Sequence, residues 1–98
     1  MTEQLNALAE FLAGETLHAV TIEDDAIYVN YDYLRAVVIE HDPLRLDADA
    51  WSIEAYEWDV TGGVRDSMLM GVVQQQWIAP IVNAFVGGYE ATRLRVVK

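Results

Sequence analysis

The stretch that decides the fold is residues 17–41, LHAVTIEDDAIYVNYDYLRAVVIEH. Its apolar residues recur with a period of two, and many are β-branched or aromatic, which is typical of strands. The acidic run Glu23-Asp24-Asp25 separates residues 17–22 from residues 27–31 and predicts a hairpin. A third strand is predicted over residues 34–41. These three runs predict an antiparallel sheet.

The flanking segments add at least one helix and one strand. Leu5, Leu8 and Leu12 recur at helical spacing and predict an N-terminal helix that ends near Gly14. Residues 44–60 fit both a strand and a helix. Their aromatic residues favour a turn over residues 46–50 followed by a strand over residues 52–60.

Residues 65–86 predict one long helix, which Gly87-Gly88 ends before a last strand over residues 89–97. Apolar residues cover most of this helix, more than a 98-residue domain can bury. We therefore expect it to pack against a second copy of the chain or against a partner. In the alternative, residues 67–73 form a buried strand and only the part after it is helical. The expected homodimer interface consists of Met70, Val73, Trp77 and Ile81.

Together these elements predict one domain over residues 1–98. Its class is α+β, with an antiparallel sheet of four or five strands. The N-terminal helix and the long helix of the C-terminal half are expected on one face of that sheet.

The charge of the chain excludes some classes of partner. The formal charge is −10, and residues 1–66 carry fifteen of the sixteen acidic residues against three arginines, a local balance of −12. Direct binding of nucleic acid or an anionic membrane needs clustered Lys and Arg. A hydrophobic content of 53% argues against disorder. With neither a leader-like start nor a membrane-spanning run, we expect a cytoplasmic protein.

Catalytic and metal-binding patterns are weak. Cysteine is absent, and the serines, Ser52 and Ser67, lie in no nucleophile motif. The histidines are His18 and His41. The run Glu40-His41-Asp42 offers metal-ligating atoms, but a polar strand end before a proline turn explains it better. We expect no enzyme, no cofactor and no metal.

Aromatic residues instead interleave with acids. One interpretation places the rings in the core and the acids in solvent. The excess of acids over residues 1–66 favours a binding surface, although adaptation to high salt, suggested by a single lysine, is an alternative. Carboxylates two residues apart on a strand lie about 6.6 Å apart, similar to successive backbone phosphates. We expect Tyr56 and Trp58 on the core side and three acids, Glu54, Glu57 and Asp59, on the solvent side. The candidate partner-binding residues are Tyr31, Glu40, Asp42, Trp51, Glu54, Glu57 and Asp59.

In size, acidity and lack of catalytic equipment, the chain resembles the phage- and mobile-element-encoded inhibitors of bacterial defence, the anti-CRISPR and anti-restriction proteins. This resemblance implies an inhibitor in the host cell that mimics DNA and binds a basic surface of a CRISPR effector complex or a restriction enzyme. These proteins share no motif, so the resemblance assigns no residue roles. The alternatives are an immunity protein that neutralises a nuclease toxin and a homo-oligomeric structural or assembly subunit.

Overall fold

The computed structural model describes the backbone of residues 2–41 and 49–97 and the side chains of residues 3–41 and 49–91. A helix precedes five strands, and a single 3-10 turn leads into a second helix. In chain order the elements are α1 (Thr2–Glu15), β1 (Ala19–Glu23), β2 (Ala26–Asp32), β3 (Arg35–His41), β4 (Trp51–Trp58), β5 (Val64–Val73), the 3-10 turn (Gln75–Trp77) and α2 (Ile78–Val97).

The five strands form one antiparallel sheet in the order β1-β2-β3-β4-β5, so each strand pairs with its neighbour in sequence. The predicted α+β class is confirmed. The predicted hairpin between β1 and β2 is also present, and Asp24 and Asp25 form its turn with φ of 50° and 61°. Aspartate adopts this left-handed region more readily than most residues do, which suits a two-residue hairpin turn.

Both helices pack on the same face of the sheet. Every second residue of β2, β3 and β4 is directed to this face, which is the alternation that the sequence showed. The leucines of α1 and the first turns of α2 pack against these sheet residues and complete the core. The largest fully buried side chains of this core are Leu8, Leu12, Ile27, Val29, Val37, Ile39, Trp51, Ile53, Ile78 and Val82.

The long helix predicted over residues 65–86 is wrong. Val64–Val73 is strand β5, and helix α2 begins only at Ile78. Pairing with β4 gives this segment a backbone partner, and this tertiary contact outweighs the helical preference of Met and Leu. The alternative strand over residues 67–73 is confirmed as a strand, but it lies at the sheet edge and is largely exposed rather than buried.

The strand predicted over residues 89–97 is wrong as well. Helix α2 continues through Gly87-Gly88 to Val97. The core contacts of Val82, Val86 and Tyr89 hold the helix on the sheet on both sides of the glycines, and this packing outweighs their low helix propensity. The strand predicted over residues 52–60 is confirmed as β4, with different ends. Residues 46–48 of the predicted turn lie outside the described residues.

These corrections also change the expected dimer surface. Met70 and Val73 lie on β5, and Ile81 lies on α2; all three pack partly buried against the core. Only Trp77, in the 3-10 turn, is well exposed, at 53%. The four residues do not form one face of one helix, as predicted. Dimerisation itself stays a prediction.

Candidate protein-binding face of the sheet

The second face of the sheet carries no helix among the described residues, and we call it the open face. The strand register assigns side chains to it by alternation, because paired residues in antiparallel strands point to the same side. Its principal residues are Thr21, Glu23, Tyr28, Asn30, Ala36, Val38, Glu40, Ser52, Glu54, Tyr56, Trp58, Ser67, Leu69 and Val72.

Three carboxylates lie near one another on the open face. Glu23 pairs with Ala26, and Ala26 pairs with Glu40. The two glutamates therefore lie in one row across the sheet, and at normal strand spacing their backbones are about 9.6 Å apart. Glu40 pairs with Ser52, which places Glu54 diagonally from Glu40 at about 7–8 Å. The register thus gathers acids that lie far apart in the sequence.

An aromatic cluster adjoins these acids. The Trp58 ring stacks on Tyr56 with centroids 5.5 Å apart and lies 6.3 Å from the Tyr28 ring. All three side chains are half-buried, whereas Ala36 and Val38 beside them on this face are 0% and 3% exposed. The rings therefore cover the small residues of β3 and form an apolar surface of their own.

The electrostatics of the cluster are negative. Partial burial, followed by the charges of Glu23, Glu40 and Asp24, raises the pKa of Tyr28 above its usual value. Partial burial and then the Glu54 carboxylate beside the hydroxyl raise the pKa of Tyr56. A negative potential that opposes a tyrosinate stabilises a cation at the same place. The open face is therefore suited to positively charged groups.

The structure separates the carboxylates that were predicted to act together. Glu57 is directed to the helix side, where its Oε2 accepts a hydrogen bond of 2.8 Å from Nη2 of Arg35. Asp59 follows β4, and its Oδ1 accepts hydrogen bonds from Thr61 N and Gly63 N at 2.9 and 3.0 Å. Asp42 lies outside the described residues.

The expectation that Glu54, Glu57 and Asp59 share the solvent side opposite Tyr56 and Trp58 is therefore wrong. Side chains two residues apart on a strand point to the same face, so Glu54 lies on the same face as Tyr56 and Trp58. That face is the open one, and the rings are consequently not part of the core under the helices. Glu40 and Glu54 remain in place on the candidate surface.

The two predicted aromatic anchors are core residues. Trp51 is 0% exposed, and its Nε1 donates to Oδ1 of Asp49 at 3.3 Å. Tyr31 is 9% exposed and makes edge-to-face contacts with Phe85 and Tyr89 of α2, at 5.7 and 5.0 Å between centroids. Neither ring is available to a partner. Tyr28, which the sequence did not single out, takes this place on the open face.

A polar cluster on the helix side ties the sheet to α2. Arg35 bonds Glu57, lies 3.6 Å from Asp32 and has its guanidinium 5.5 Å from the centre of the Tyr89 ring. The Tyr89 hydroxyl donates to Asp32. A cavity of about 180 Å³ lies beside it, lined in part by Tyr31, Met68 and Phe85. Because these charges already bond each other, the cluster stabilises the fold.

The histidines lie apart from each other. Nε2 of His18 lies 2.8 Å from Oε1 of Glu90, and the His41 ring contacts the ring of Trp51. Within residues 2–41 and 49–97, no three His, Asp or Glu side chains converge in a way that could hold a metal ion. No helix of this described part has the length and apolar character to cross a membrane.

The fold and the open face together define a small α+β domain with an acidic, aromatic surface on one side of its sheet. No family model, curated protein or solved structure matches this chain.

Proposed function

We propose that the protein is a non-enzymatic, anti-CRISPR-like inhibitor whose open face binds a basic, nucleic-acid-binding surface of a bacterial defence effector or nuclease. The protein would act in the cytoplasm of the host cell and would itself bind neither nucleic acid nor membrane. It would need no cofactor.

The observation that carries this proposal is the cluster of the Tyr28, Tyr56 and Trp58 rings on the same exposed face as the carboxylates of Glu40 and Glu54. Surface rings bind Lys and Arg through cation–π contacts, and nearby carboxylates supply ion pairs. Tyr and Trp are also the residues that most often dominate protein interfaces.

The spacing of the charges supports competition with nucleic acid. The carboxylates of the open face lie about 7–10 Å apart, on strands that are adjacent or two apart, and this spacing resembles that of phosphates along a nucleic-acid strand. A surface that holds phosphates would meet similar charges here, and the −10 charge of the chain would speed the encounter. The stacked rings add apolar contact area that phosphates lack.

To test this proposal, the protein is expressed in bacterial strains that each carry one defence system, either a CRISPR effector or a restriction enzyme. Phage plating efficiency then reports inhibition. We expect the wild-type chain to restore plating against at least one system, and the double variant Glu40→Lys/Glu54→Lys to lose this effect.

The matched control is Glu10→Lys/Glu15→Lys, which changes the charge by the same four units on exposed positions of α1, on the other side of the sheet. This control should retain inhibition. Equal loss in both double variants would show that only net charge matters and would contradict a specific face. Rescue of cells from a nuclease toxin, with no effect on any defence system, would favour the immunity-protein alternative.

A further inference from the structure

Strand β5 is the longer of the two edge strands of the sheet. It spans ten residues, whereas β1 at the opposite edge spans five. One side of β5 pairs with β4, and its other side pairs with no strand of the described chain. An edge strand of this length offers unpaired backbone groups to another strand.

The hydrogen-bond alternation shows which residues offer those groups. Trp58 N donates to Leu34 O at 2.9 Å, so even-numbered residues of β4 bond β3 and odd-numbered ones bond β5. The residues of β5 opposite the even-numbered set are Val64, Ser67, Leu69 and Val72. Their N–H and C=O groups are directed to the free edge. In agreement, Ser67 N donates to the Asp66 side chain at 2.9 Å instead of to β4.

The side chains of this edge are apolar and balanced in charge. Val64, Met68 and Leu69 are each more than half exposed, at 59%, 52% and 61%. Arg65 and Asp66 are the two charged residues of β5, so the strand carries no net charge in a chain of −10. A basic target gains nothing from such an edge.

A second copy of this chain fits the edge better. Two copies repel each other wherever their acidic surfaces meet, and β5 is a place where this repulsion is small. Exposed apolar residues on a free edge also favour strand pairing.

We propose that β5 pairs antiparallel with β5 of a second copy about a two-fold axis, which joins the two sheets into one of ten strands. A two-fold axis beside Met68 places Ser67 of each copy opposite Leu69 of the other, so that the outward groups of both residues bond. Asp66 then releases the Ser67 N–H. The two open faces become continuous, and the dimer presents two acidic, aromatic surfaces on one side. This pairing is independent of what the open face binds.

The register of β5 against β4 shifts near both ends, between Ile53 and Glu54 and between Glu57 and Trp58. Such bulges leave the regular segment of β5 between them for pairing. A short pairing segment gives a dimer of moderate affinity, so the mass must be measured over a concentration series.

The test is the solution mass of the full chain by light scattering from about 5 to 500 µM, a range that spans moderate affinities. We expect the mass to rise from 11.0 kDa towards twice that value. Leu69→Lys should raise the dimer dissociation constant by at least about tenfold, because lysine on an edge strand opposes pairing. Thr21→Lys, the same class of change on the open face of β1, should leave it unchanged.

Amide hydrogen exchange of the wild type tests the pairing directly, even if Leu69→Lys fails to fold. The amide of Leu69 should become protected at high concentration and exchange freely on dilution. A mass of 11.0 kDa at every concentration would overturn the proposal. A dimer that Trp77→Glu disrupts, but that leaves the Leu69 amide unprotected, would place the interface on the helix side and would also overturn the proposal.

Discussion

Charge reversals at Glu54 and Glu57 should have opposite consequences for stability, although the two residues are three positions apart on β4. Both replacements with lysine change the charge by two units. Glu54 lies on the open face near other carboxylates, with which a lysine at this position would form ion pairs. Glu57 lies on the helix side, 2.8 Å from Arg35 and 3.8 Å from Arg65.

The structure sets the expected magnitude. The side chains of Arg35 and Glu57 are 33% and 25% exposed, so solvent screens their ion pair in part. A pair of this kind contributes about 1–2 kcal/mol, between the values for exposed pairs and for bonds to buried charges. Glu57→Lys loses that contribution and adds repulsion from both arginines, for a total of about 2–3 kcal/mol. Glu54→Lys should stay within about 0.5 kcal/mol of the wild type.

Urea unfolding at pH 7, followed by circular dichroism, measures both changes. The midpoint of Glu57→Lys should fall while the slope of its transition stays constant. Arg35→Met provides a check from the other partner and should also destabilise the protein. Equal destabilisation by Glu54→Lys and Glu57→Lys would refute the assignment of these residues to opposite faces.

Three further predictions concern the fold. Gly87→Ala should stabilise the chain by about 0.5–1 kcal/mol, since the position is an exposed helix interior with nothing within 4 Å of an added Cβ; thermal unfolding measures it. Trp51→Ala should lower the free energy of unfolding by about 3–5 kcal/mol and Trp58→Ala by only about 1–2 kcal/mol, because of the two rings only Trp51 is fully buried. The midpoints of urea unfolding measure both changes. Hydrogen bonds from the Thr61 side chain and from the Gly63 and Thr61 amides lower the pKa of Asp59 in the folded protein. The stabilisation that the Asp59 carboxylate gives the fold is therefore complete above the pKa of the unfolded chain, and it is lost as the pH falls through the pKa of the folded protein. Asp59→Asn should weaken this dependence of stability on acid pH.

The first half of the fold could be predicted because local and tertiary signals agree there. In residues 17–41 the alternation of apolar residues, the β-branched content and the acidic turn all favour the same hairpin and strands. The pairing found in β1, β2 and β3 follows directly from that pattern.

The second half could not be predicted in the same way. The β5 segment contains Met68, Leu69 and Met70, which favour a helix locally, and only its pairing with β4 makes it a strand. Gly87-Gly88 signals a helix end by local rules, yet packing of α2 on the sheet outweighs that signal. Neither contact is visible in the local sequence.

The candidate face was predicted only in part. Glu40 and Glu54 were among the predicted partner-binding residues and lie on this face, but Tyr56 and Trp58 were expected on the core side, opposite Glu54. Parity along β4 alone would have placed Glu54 with the two rings and Glu57 opposite them. Alternation shows that Tyr28 and Tyr31 point to opposite faces of the sheet, but it does not show which face the helices cover. Tyr31 lies under the helices, so Tyr28 is the ring on the open face.

The most direct measurement of the central claim is the affinity of the wild type and two double variants for the defence effector that the plating assay identifies. Glu40→Lys/Glu54→Lys reverses the charge of two of the three acids of the open face, and Glu10→Lys/Glu15→Lys makes the same charge change on α1. We prefer this control to the hairpin tip, because Asp24 and Asp25 have positive φ and lysine there would strain the turn. We expect the open-face variant to lose affinity by at least about 100-fold, since each close charge pair across an interface contributes about 1.5 kcal/mol or more. The control should lose less than about tenfold, mainly through slower association. Equal losses in the two variants, or full affinity in the open-face variant, would show that the target does not bind through the acids of the open face.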